Sequence, residues 1–216
     1  MISIQSGVEK IIQEDAEAYA AMRRGIMNFS QYAHSIHKQV EKLCRKDIRH
    51  GSIVIALTRL SGDKHKQKIY TPKVEIHNIT TKLPLTEIVY HKTQETLSSL
   101  ETLFKKIKAS VDDFFVMTLS TTEITIICSD PLVKRVEDAF GGKPKMKQSN
   151  LAAIGLSFDE SYYKMPNVTF SLIRELAMRE IVIAETVSSY TEVVFICHQK
   201  DLSRALEAFR SDKEVW

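Results

Sequence analysis

Two pairs of adjacent acids, Asp112-Asp113 and Asp159-Glu160, have the residue types for general acid–base work. That work needs one carboxyl group kept protonated beside one that is ionised. Both pairs fall between apolar segments, at strand and helix ends, where acids usually cap helices or face water. His34 and His37 stand one helical turn apart, and with His50 or Cys44 they would make a metal set. Within a basic helix the same two histidines also read as surface residues. Ser188-Ser189, followed by Thr191-Glu192, reads either as a turn between strands or as a ligand or dimer contact. The string Phe140-Gly141-Gly142-Lys143 has the glycines of a phosphate loop, but it follows a helix and reads as a helix stop. No Walker-type loop, no His-Glu-x-x-His and no Gly-x-Ser-x-Gly is present. Cys44, Cys128 and Cys197 are too far apart for a zinc or redox pair. Cys128 and Cys197 end apolar strands and read as small core residues in a reducing, cytoplasmic setting. The chemistry-bearing residues therefore predict no enzyme, no metal and no cofactor.

The elements that position these residues begin with a basic block. The chain has 216 residues and a net charge of +3, with 44% hydrophobic residues, enough for packed cores. Residues 23–68 hold eleven Lys or Arg against three acids. Such a surplus predicts an anionic partner or a solvated basic face. No apolar run approaches the roughly 20 residues of a membrane span, and no signal-peptide layout opens the chain.

Val8 to Met22 carries a helical stripe, and Gly25 is placed to end it. A second helix starts at Asn28, a capping residue with Gln31 three positions on. Its apolar positions Phe29, Tyr32, Ala33, Ile36, Val40 and Leu43 share one face. Ser52 to Leu60 is β-branched enough for a strand, yet Ile53, Ala56, Leu57 and Leu60 recur at helical spacing, and a helix is preferred. With the basic tail Lys64 to Lys68 this resembles a helix-turn-helix followed by a wing or a linker. Lys38, Lys42, Arg45, Arg49, Arg59, Lys64 and Lys66 are the candidate nucleic-acid contacts. The preferred helix offers few polar side chains for base edges, so phosphate contact without sequence reading is the expected mode.

Strands are expected over Lys73–Asn78 and Leu85–Tyr90, punctuated by Pro72 and Pro84. A helix over Glu95–Lys108 follows, then strands Phe114–Leu119 and Glu123–Cys128, then a helix from Pro131 to Phe140 with Asp130 as its cap. Lys143 to Asn150 is a short closing strand or a linker. The same β-α-β-β-α order recurs over residues 151–210, so an internal duplication is the economical explanation.

The second copy carries the clearest resemblance. Leu151–Phe158, Met165-Pro166-Asn167-Val168 with its following helix, the strand pair Ile181–Ile196, and Lys200–Leu206 together resemble the ACT domain. The ACT pair at the C-terminus of aspartate kinases is the nearest form. The first copy resembles the effector-binding member of that pair. Glu95-Thr96-Leu97 stands at the family's glycine-phenylalanine-leucine helix start, Ser110-Val111-Asp112 at its strand entry, and Thr122-Glu123 at its turn. In that family the aspartate pairs with the amino group of a bound amino acid, and backbone groups at the helix start hold its carboxylate. Physics allows both roles, since helix N-termini bind anions and carboxylates bind ammonium groups. Two departures stand out. Glu95 replaces the glycine and would itself cap the helix, and Pro166-Asn167 replaces proline-glycine, Asn being tolerant of positive φ. The family's kinase domain, about 250 residues with a Lys-Phe-Gly-Gly strand end, has no counterpart in this sequence.

The expected architecture is α+β: a small N-terminal helical domain of winged-helix character (1–70), then two ferredoxin-like βαββαβ (ACT) units, 71–148 and 149–216. The resemblance implies a non-catalytic regulator that senses an amino acid. Its ligand residues would be Thr93, Gln94, Glu95, Thr96, Leu97, Val111, Asp112, Thr122 and Glu123, with Met165, Pro166, Asn167, Val168, Ser188 and Ser189 in the second unit. Exposed sheet edges predict a homodimer, and the basic N-terminal domain predicts DNA. The alternatives are a dimerisation scaffold and a free-standing regulatory subunit of an aspartate-kinase-like enzyme.

Overall fold

A computed structural model describes residues 2–62, 72–108 and 110–210. The chain divides into two compact units, Met1–Thr71 and Pro72–Trp216.

The first unit contains four described helices: α1 (Ile4–Glu14), α2 (Ala16–Arg23), α3 (Phe29–Cys44) and α4 (His50–Gly62). The single helix expected up to Met22 is broken at Asp15. Its carboxylate accepts from the Ala18 amide at 2.9 Å and from the Tyr32 hydroxyl at 3.1 Å. A short acid that can bond the next turn's amides favours a cap over helix continuation. Gly25 closes α2 at φ +70, with Gly25 N–H on Met22 O and Ile26 N–H on Ala21 O, a Schellman motif. Asn28 caps α3 by accepting from Gln31 N at 3.1 Å. Ser52–Leu60 is helical, within α4, and buries Ile53, Ala56 and Leu57. Val8, Ile12, Ala33, Val40, Cys44 and Ile53 form the centre of this unit's core. Lys64 to Lys68 lies outside the described residues.

The second unit is built from β1 (Ile76–His91), α5 (Gln94–Lys106), β2 (Phe115–Leu119), β3 (Glu123–Ser129), α6 (Asp130–Phe140), β4 (Met146–Phe158), α7 (Val168–Ala177), β5 (Ile183–Ser188), β6 (Glu192–His198) and α8 (Leu202–Phe209). One six-stranded antiparallel sheet runs in the order β2-β3-β1-β4-β6-β5. The order is the same read from either edge, so the two halves are pseudo-symmetric. Leu85 lies opposite Ser129 in one half as Leu151 lies opposite His198 in the other, and Cys128 and Cys197 occupy matching places.

Two separate strands divided at Pro84 are not found. β1 passes through Pro84, which falls at the register shift between Lys82 and Leu85, where a residue without an N–H fits a bulge. Likewise Lys143–Asn150 is neither linker nor separate strand beyond Lys145, because Met146 begins β4. Each long strand serves both halves. Leu85–His91 pairs with β3, whereas Ile76–Lys82 pairs with the C-terminal part of β4. Each half thus gets its fourth ferredoxin-like strand from the other.

One face of the sheet is covered by helices. Ile88, Ile124 and Ile126 pack with Leu103, Leu132 and Val136, and Ile154, Leu156 and Phe195 pack with Leu172, Leu176 and Ala205. The opposite face is closed by curling. Phe114 beside one edge and Ala184 and Val187 on the other join Leu85, Ile127, Leu151, Val194 and Ile196 in one cluster. A Cβ at Gly155 would lie 2.6 Å from Glu192 Oε1 and closer still to Thr80 Oγ1, so it would be admitted only if these side chains moved. Cys128 and Cys197 are buried on the helix side, and burial pushes their thiols up to about 12 and about 11.

Candidate ligand-binding site

Strand direction decides which candidate residues meet. β1 ends at His91, and α5 begins there under Thr93. Lys92 N–H donates to Thr122 O at 2.9 Å and Lys92 Nζ to Ser120 O at 3.0 Å. Thr93–Leu97, Thr122 and Glu123 therefore gather at one end of the first half. Val111 and Asp112 do not join them. They lie beyond the other end of α5, and 13 residues at about 1.5 Å rise put roughly 20 Å between the groups within one chain.

The start of α5 is closed by its own hydroxyls. Thr93 Oγ1 accepts from Thr96 N at 3.2 Å, and Thr96 Oγ1 accepts from Thr93 N at 2.8 Å while donating to His91 O at 2.7 Å. Thr93, not Glu95, is the cap. Glu123 is committed to Lys145, whose hydrogen bond and charge hold the carboxyl below its usual range. Asp113 accepts from Ser110 N at 2.8 Å and shapes the turn, whereas the Asp112 carboxylate is exposed and has no hydrogen-bond partner among the described residues. The Asp112 backbone carbonyl receives Lys82 Nζ at 2.9 Å.

The second half brings its candidates together. Phe158 N–H donates to Thr191 O at 3.0 Å, which ties the end of β4 to the β5–β6 turn holding Ser188 and Ser189. The loop 159–167 crosses that end. Asp159 accepts from Ser161 N at 2.9 Å, and these bonds to Ser161 lower its carboxyl. Tyr163 and Tyr190 lie with ring centroids 5.1 Å apart and tilted by 58°. The Tyr190 hydroxyl donates to Glu160 Oε2 at 3.2 Å. Met165 and Pro166 lead into Asn167, which adopts φ +67 and begins α7 without a side-chain cap bond. The positive φ read from Asn167 is thus present. Among the described residues the amides of Val168, Thr169 and Phe170 have no acceptor, so this helix start is open where that of α5 is shut. Glu160 was singled out in the sequence only as one of a pair of acids, and its contact with Tyr190, like that of Tyr190 with Tyr163, is visible only in the structure.

The concave sheet face holds a further titratable group. Glu87 is 4% exposed, on a strand paired on both sides. Burial, then the charge of Glu185, raises its carboxyl above the ordinary 4.5. A raised carboxyl binds its proton more tightly folded than unfolded. Its contribution is therefore full below the unfolded pKa and is lost as pH rises through the folded one. Glu87→Gln is expected to melt higher than the parent near pH 8, with the gap narrowing toward pH 5; parallel melting curves at all pH values would contradict this.

In the N-terminal unit Lys38, Lys42, Arg45, Arg49 and Arg59 are all exposed, and Lys64 and Lys66 lie outside the described residues. α4 turns Ile55, 55% exposed, outward beside Thr58 and Arg59. His37 is bonded to Ile48 O at 2.7 Å and lies 3.7 Å from Glu41, and His34 and His50 have ring centroids 6.3 Å apart. No metal-holding group of three or more His, Cys, Asp or Glu occurs among the described residues, and no described helix is long and apolar enough to cross a membrane.

No family model and no curated protein matches the sequence. Solved structures do match. The regulatory subunit of aspartate kinase from Thermus thermophilus, in ligand-free form, is 12% identical with a TM-score of 0.51, over 62% of this chain and 95% of that one. The corresponding subunit from Thermus flavus is 12% identical with a TM-score of 0.51, over 63% and 96%. Aspartate kinase from Clostridium acetobutylicum is 17% identical with a TM-score of 0.51, over 68% of this chain but 36% of the enzyme. The helical unit is too short to account for these coverages, and neither unit is a kinase domain. The six-stranded unit has the fold of the ACT-containing regulatory domains of aspartate kinases.

Proposed function

We propose that this protein is a non-catalytic regulator that senses a small amino acid through its six-stranded unit. The observation that carries the reading is the open start of α7 at the end of the loop that holds Glu160 and Tyr163, both of which meet Tyr190. A ligand carboxylate suits the amides of Val168 to Phe170. An ammonium group suits Glu160, and the rings of Tyr163 and Tyr190 offer an apolar wall. Thr93–Leu97 and Thr122–Glu123 form the matching end of the first half, where the capping threonines and Lys145 already occupy the polar groups. Asp112 would serve a ligand only together with groups from a second copy, given its distance from the helix start. The unpaired edges β2 and β5 suit such a copy, and pairing would cover their free backbone groups. The neighbours named as regulatory subunits favour action on a separate partner. Ligand would shift that interaction by its differential affinity for two arrangements.

A thermal-shift screen of the full chain against the twenty amino acids tests the reading. At least one is expected to raise the midpoint in a saturable manner; silence across the whole set would overturn it.

A further inference from the structure

The N-terminal helical unit has an open groove of about 630 Å³ along α1 and the C-terminal end of α3. Its floor is apolar: the partly buried Leu43 and the outer edge of the core residue Ile11, with Ile2 left 41% exposed at one side. Its rim is cationic: Lys10, Lys42 and Arg45, against the single acid Glu14 among the described lining residues. None of the three cations has an ion-pair partner among the described residues.

Arg45 adds a separate observation. It ends α3 at φ +53, ψ +42, a left-handed position that glycine or asparagine would occupy without steric cost. A long cationic side chain held there is not what folding alone would choose, and strain of this kind is associated with functional surfaces.

We infer that this groove docks an acidic peptide segment of a partner protein, one carrying apolar anchors among its carboxylates. Complementarity argues for that occupant. An apolar floor needs Leu-, Ile- or Phe-type side chains to leave water, and the unpaired rim needs carboxylates. A nucleic acid would leave Ile2, Ile11 and Leu43 facing a phosphate backbone and bring Glu14 against like charge. An amphipathic segment laid in a groove satisfies both layers at once.

The test is to pan a random dodecapeptide display library on the full-length protein and measure the enriched peptides against the wild type and the double variant Arg45→Gly, Lys42→Gln. Enriched sequences are expected to be net negative, with apolar residues spaced to share one face. Their affinity should fall at least tenfold in the variant. Arg45→Gly relieves the left-handed position, so the variant should melt no lower than the parent, which separates lost binding from lost fold. Neutral or basic enriched peptides, no enrichment, or equal affinity for the variant would each overturn the inference. So would a short DNA duplex that binds the wild type more tightly than the enriched peptides and loses affinity at the same two substitutions.

Discussion

Phe195→Ala lowers the melting temperature of the six-stranded unit by roughly 6–20 °C. Phe195 is fully buried at the centre of β6, and its ring lies parallel to Phe209 at the end of α8, with centroids 6.1 Å apart. Truncating a buried phenylalanine costs about 3–5 kcal/mol, as lost transfer energy plus an unfilled cavity. For a unit of this size each kcal/mol moves the midpoint by roughly 2–4 °C. The sheet does little to collapse around the void, because Ile154 and Leu156 on the next strand are fixed by their own pairing on both sides. Calorimetry on the full chain is the measurement. A loss below about 1 kcal/mol would mean that the helix-side core is not packed as described.

The second large effect concerns ligand. An amino acid present at a hundredfold excess over its dissociation constant stabilises by about 2.7 kcal/mol, or roughly 5–11 °C at the same conversion. Asn167→Asp is expected to abolish that rise, because a fixed negative charge at the start of α7 competes with the ligand carboxylate. Asp also tolerates the left-handed conformation, so the fold should persist. Thr93→Ala supplies the contrast. It opens the cap of α5 and costs about 1 kcal/mol, yet the ligand-induced rise should remain. If Thr93→Ala removes the response while Asn167→Asp leaves it intact, the site belongs to the first half and the assignment to α7 is wrong.

These expectations differ in how far the sequence foreshadows them. The cap at Asn28, the stop at Gly25 and the positive φ at Asn167 were legible, since each depends on a few neighbouring residues. The internal repeat was legible because the two halves carry the same succession of apolar periods. Asp15 was legible in principle, yet a helical stripe running to Met22 masked it.

What the sequence by itself determined is therefore local and additive: helix starts and stops, core stripes, burial of Cys128 and Cys197, and the order of elements in each half. Tertiary structure alone decided how the halves share β1 and β4, since hydrogen bonding between distant strands leaves no periodic trace in either one. It also decided the site. Strand direction carries Val111 and Asp112 away from Thr93–Leu97 along the length of α5, although neighbouring motifs in the chain suggested one pocket. Curling then buried Glu87 near Glu185, two acids that no spacing along the chain would pair. Such contacts arise only once the sheet has closed, because they depend on the path of the whole backbone and not on any segment of it.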